Sequence, residues 1–122
     1  MKRRRPVNLD LRTIHFPLAA LASITHRVSG VIVFLAIFGL LYLLDTSLST
    51  EAGFASLATL GSFARFLLWG VLAALAFHTV AGVRHLFLDL GMGESREGGP
   101  RTALVAFVVS AVVIVLLGMW IW

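Results

Sequence analysis

Two short stretches gather side chains that could do chemistry. In Phe77-His78-Thr79-Val80-Ala81-Gly82-Val83-Arg84-His85-Leu86-Phe87-Leu88-Asp89-Leu90-Gly91, two imidazoles, a guanidinium and a carboxylate interrupt an apolar run. On a helix of 3.6 residues per turn, His78, Gly82, His85 and Asp89 form one narrow stripe, and Arg84 lies off it. A glycine beside an imidazole removes a side chain and predicts a slot next to His78. Neutral imidazole is a common axial ligand of b-type haem iron, and a flat macrocycle needs such a slot. The second stretch is Ser23-Ile24-Thr25-His26-Arg27-Val28-Ser29-Gly30. Here Ser23, His26 and Arg27 share one helical face that Gly30 extends. A hydroxyl, an imidazole and a guanidinium together can hold an anionic or carbonyl-bearing ligand. Plainer roles compete with these. His26 and Arg27 at a helix end can snorkel to lipid headgroups. A lone His78 can serve an interhelical hydrogen bond worth about 1 kcal/mol.

The elements that carry these residues must be membrane helices. Of 122 residues, 59% are apolar and 13% charged, a balance that a water-soluble domain of this size cannot bury. A span needs about 20 apolar residues. Three stretches supply them, about 23–48, 63–90 and 101–122, and the expected fold is all-α, one transmembrane domain over 1–122. Residues 1–22 form a cytoplasmic tail, too polar after Pro6 for a signal peptide, with a short lead-in helix for which Pro17 suits the first turn. Gly91 to Pro100 is a polar, Gly-rich connection. The chain has no cysteine, which excludes disulfides, thiolate metal sites and thioether-linked haem. The basic N-terminus is short and lacks interleaved aromatics, so it suits lipid headgroups rather than nucleic acid.

Charge sets the orientation. Lys2, Arg3, Arg4, Arg5, Arg12 and Arg27 precede or open the first span, and Arg84, Arg96 and Arg101 surround the second connection. The positive-inside rule puts the N-terminus in the cytoplasm and the C-terminus in the periplasm. Tyr42, Trp69, Trp120 and Trp122 fall at the outer ends, as interfacial aromatics do. Depth then separates the histidines. His78 lies about 18 Å from Leu90 along its helix, near the bilayer centre, whereas His26 lies about 5 Å into its span and matches His85. A six-coordinate haem on His78 therefore needs a histidine from another subunit, while His26 paired with His85 stays open as a rival within the chain.

Arg5-Pro6, the 23–30 stretch, His78 to His85 and Asp89-Leu90-Gly91 together resemble the succinate dehydrogenase cytochrome b556 anchor family, over nearly the whole chain. Leu88 departs from the aromatic or methionine expected before the aspartate. The resemblance implies a multi-pass subunit of the bacterial cytoplasmic membrane within complex II. There a flavoprotein oxidises succinate, a step of the tricarboxylic acid cycle, and an iron–sulfur subunit passes the electrons on to ubiquinone. It implies haem b on His78, with the other axial histidine from a second anchor subunit. Ser23 and Arg27 match quinone-site positions, His26 and Arg27 the surroundings of the haem propionates, and His85 the haem pocket. Asp89 is the expected proton entry. Such a chain catalyses nothing alone. Three other readings compete: a structural anchor without haem, a fumarate reductase anchor, and a small proton-conducting subunit.

Overall fold

With no water in the hydrocarbon to satisfy peptide groups, a spanning chain must bond its backbone within each segment, and the helix does this. The computed structural model describes residues 7, 9, 10, 12–93 and 95–122, and among these no strand occurs. The helices run in the order α1 (Leu18–Ser49), α2 (Glu51–Ala58), α3 (Ser62–Asp89) and α4 (Gly98–Ile121). Three of them, α1, α3 and α4, are long and apolar enough to cross a membrane. At 32 residues α1 is about 48 Å long, well beyond the hydrocarbon thickness, so it tilts or projects into the interface. Hydroxyls within the spans bond back to their own helices, as Thr25 does to Leu21 O at 2.6 Å and Thr79 to Leu75 O at 2.8 Å.

The element ends differ from expectation in three places. Among the described residues no separate lead-in helix precedes the first span. Residues 14–17 have no regular secondary structure, and Pro17, in the extended region, is the N-cap of α1 itself, its carbonyl accepting from Ala20 N and Leu21 N. A short amphipathic segment gains nothing by folding apart when the apolar run can simply begin at Leu18. In the outer connection, Thr50 ends α1 and starts α2, its Oγ1 accepting from Gly53 N at 2.9 Å. At the other end Gly98, Gly99 and Pro100 belong to α4 rather than to the loop. Proline is tolerated there because the first-turn N–H groups have no helical partner. Ser95 Oγ accepts from Gly98 N at 2.9 Å, so the turn caps the helix from outside. Gly91 and Gly93 take φ values of +78° and +86°, which lets the chain reverse within a few residues.

The helices pack through small residues. The buried positions are Ala22 and Ser29 on α1, Phe77, Ala81 and Arg84 on α3, and Ala103, Ala106 and Ser110 on α4. Lipid solvates large apolar side chains as well as a protein core does, so close backbone approach decides which faces meet. The three long helices contact one another mutually, with α3 packing most extensively on α4 and α1. Two polar ties fasten it to α4. At one end Trp69 Nε1 donates to Ile114 O at 3.0 Å, over Gly118, where a Cβ would lie 3.2 Å from the indole nitrogen. At the other, buried Arg84 donates from Nε to Thr102 Oγ1 at 3.2 Å and from Nη2 to Gly99 O at 3.1 Å. Phe77 meets Phe107 between them, centroids 5.5 Å apart.

Candidate functional site

α1 and α3 each carry a histidine followed four residues later by a glycine: His26 with Gly30, and His78 with Gly82. The helices run antiparallel, so the two pairs face each other in reciprocal fashion. The ring of His78 lies over Gly30, where a Cβ would come within 2.9 Å of Cε1, and the ring of His26 lies over Gly82, where a Cβ would sit 3.4 Å from Nε2. Each glycine thus supplies the space its opposite imidazole occupies. The expected slot beside His78 at Gly82 is filled by His26, because the neighbouring helix comes close enough to deliver a ring into it.

Three imidazoles form one stack. His26 stacks on His78 with centroids 4.3 Å apart and planes within 13°, and on His85 with centroids 4.7 Å apart and planes within 23°. Seven residues of α3 rise about 10 Å between His78 and His85, which is the room one intervening ring requires. The depth argument that matched His26 with His85 alone is therefore corrected: His26 touches both. An axial pair must oppose its nitrogens across a metal, whereas stacked rings present their nitrogens side by side. In this packing His26 and His85 do not form such a pair. Among the described residues no three His, Asp or Glu side chains converge on a single metal position. Among the described residues the hydrogen bonds of His78 and His85 run to backbone carbonyls and the Ser29 hydroxyl and not to another ring.

His78 is held by groups of the opposite helix. Its Nδ1 lies 3.1 Å from His26 O and 3.2 Å from Ser29 Oγ. Ser29 is buried, and its hydroxyl already donates to His26 O at 2.8 Å. A carbonyl and a hydroxyl whose proton is spent can only accept, so Nδ1 carries the proton. The lone pair of the ring is then on Nε2, the nitrogen available to a metal. His85 has the same tautomer through Ala81 O at 2.8 Å, but that bond is within its own helix. Two groups of α1 thus orient His78 across the helix interface, and only the local backbone orients His85.

The remaining expected residues surround this stack unevenly. Ser23 is half-buried and Arg27 exposed on α1, and neither side chain makes a hydrogen bond or ion pair among the described residues. Asp89 is exposed at the end of α3. Arg84 is off the stripe, as its helical angle requires, and faces α4. Ser29 was legible in the sequence only as part of the 23–30 stretch. The signal that identifies it is the repeated His-x-x-x-Gly spacing, which, once the helices are antiparallel, puts the residue before Gly30 against the ring of His78.

Residues 1–117 match the family described as succinate dehydrogenase/fumarate reductase transmembrane subunit. The chain is 43% identical to a succinate dehydrogenase cytochrome b556 subunit of Coxiella burnetii, over all of both chains. It is 32% identical to the protein of that name from Paracoccus denitrificans, over 92% of this chain and 88% of the other. It is also 32% identical to a succinate dehydrogenase hydrophobic membrane anchor subunit of Halobacterium salinarum, over 85% of this chain and 81% of the other. With its three spanning helices, it is a multi-pass protein of the cytoplasmic membrane. Fold, span number and full-length similarity agree, and the chain belongs to the succinate dehydrogenase/fumarate reductase transmembrane subunit family.

Proposed function

We propose that this chain is the haem b-binding anchor of a succinate:ubiquinone oxidoreductase, with His78 as an axial ligand through Nε2. One observation carries the reading: the Nδ1–H of His78 is committed to His26 O and Ser29 Oγ. Ligating histidines characteristically donate their other ring N–H to such a partner, which sets the tautomer and raises ligand basicity. Two relatives named cytochrome b556 subunits support haem as the group concerned. Bound haem supplies a one-electron redox centre. The second axial histidine comes from a second anchor subunit, since the other rings of this stack lie side by side with His78.

The residues around the stack take roles their chemistry suits. Arg27, with His26, offers cationic and N–H donors to the propionates, and His85 lines the pocket. Ser23 and Arg27 receive the ubiquinone, where a fixed guanidinium and hydroxyl favour the negative charge that reduction places on its oxygens. Asp89, exposed at the end of α3, admits protons. The basic N-terminus and the 90–97 turn face the cytoplasm, by the distribution of arginine, and dock the iron–sulfur and flavoprotein subunits.

A structural anchor without haem is the second reading, because the same hydrogen bonds satisfy His78 with no metal at all. The test is single replacement of His78 and His85 by alanine in the assembled complex, with the reduced absorbance spectrum recorded. Loss of the b-type band in His78→Ala alone is the expected result. A wild-type complex with no such band establishes the structural anchor. A band that survives His78→Ala and vanishes in His85→Ala moves the ligand to His85.

A further inference from the structure

We propose that the groove between α3 and α4, at the end nearest the 90–97 turn, is a binding site for an anionic phospholipid. Its phosphate would be held by Arg84 and Arg101 and an acyl chain by the walls below. The groove has a volume of about 520 Å³ and is lined by Val83, Phe87, Val105 and Val109 with Arg84 and Arg101. Among the described residues no acidic side chain lines it. From Arg101 to Val109 it follows about 12 Å of helix, too long and too apolar for a small soluble anion to exploit.

The charge of the site is unbalanced. Arg84 is only 7% exposed, and both of its hydrogen-bond partners, Thr102 Oγ1 and Gly99 O, are neutral. Among the described residues no carboxylate lies within ion-pair distance of it. A buried guanidinium without a counter-charge is costly, and an anion at the rim relieves that cost. Arg101 is available to share it. Its acidic partner among the described residues, Glu97, is 3.8 Å away, and the two side chains are 80% and 83% exposed, a pair of little strength that a phosphate can replace. Basic pockets between spanning helices suit lipid headgroups for this reason. The required occupant is anionic at one end and apolar at the other, and the bilayer around the groove supplies such molecules directly.

The test uses the full chain with the partners it is purified with. The complex is exchanged into neutral detergent, offered phosphatidylglycerol or phosphatidylcholine, and examined by native mass spectrometry for retained lipid. Wild type should retain phosphatidylglycerol at least about tenfold better than phosphatidylcholine, and Arg101→Glu should abolish that preference, a difference of about 1.4 kcal/mol. Val105→Trp fills the groove without altering charge and should lower retention of phosphatidylglycerol by a similar factor, which keeps the proposal testable if Arg101→Glu fails to assemble. Equal retention of the two lipids by wild type overturns the proposal. So does unchanged retention in both variants. Displacement of the lipid by millimolar inorganic phosphate alone would make this a soluble-anion site and would also overturn it.

Discussion

Gly30→Ala is the most informative single change in the molecule. The added methyl would lie 2.9 Å from Cε1 and 3.3 Å from Nδ1 of His78. The ring cannot simply swing away, because Nδ1 is bonded to two groups of α1 and one face is covered by His26 at 4.3 Å. Overpacking of this kind costs about 1–3 kcal/mol. Replacing glycine by alanine in a helix also gains up to about 1 kcal/mol of propensity, which confuses a single measurement. Gly39→Ala cancels that term, since the same helix receives the same residue where nothing lies within 4 Å. The difference between the two variants is thus the steric cost alone. Unfolding of the purified complex in graded mixtures of mild detergent and dodecyl sulfate, followed by circular dichroism, measures it. Haem per chain, read from the reduced spectrum, should fall in Gly30→Ala and hold in Gly39→Ala. Gly82→Ala, whose methyl makes ordinary contact at 3.4 Å with His26, should fall within about 1 kcal/mol of Gly39→Ala. If Gly30→Ala matched Gly39→Ala in both stability and haem content, Gly30 would not seat the ring of His78.

Four further outcomes follow from the contacts described above. Ser29→Ala removes one of two acceptors of His78 Nδ1 and leaves His26 O, so haem affinity should drop toward the lower end of the 10- to 100-fold range typical of such partners, about tenfold, measured by haem loss to an apo-globin acceptor. Trp69→Phe deletes the N–H to Ile114 O and should cost about 1 kcal/mol in the same unfolding assay, while Gly118→Ala should shift the Trp69 fluorescence by pushing its indole off α4. Glu97→Gln breaks only an exposed ion pair of 3.8 Å, and its stability should stay within about 0.5 kcal/mol of wild type.

Composition and hydropathy were enough to determine an all-helical membrane chain with three spans, because lipid leaves an apolar polypeptide of this length no other way to satisfy its backbone. The helical wheel sorted His78, His85 and Asp89 from Arg84, and α4 indeed receives Arg84 on a different face. Helix ends were less legible. A proline and two glycines read as a loop in isolation, yet Ser95 caps them into the first turn of α4.

What tertiary structure alone decided is the company of each histidine. Rise per residue assigns depth along one helix, but it says nothing of how closely a second helix approaches or how far its side chains reach. The opposed glycines Gly30 and Gly82 let α1 and α3 meet closely enough for His26 to slide between His78 and His85. The same approach brings His26 O and Ser29 against His78, and the carbonyl, which can only accept, selects which ring nitrogen keeps its lone pair.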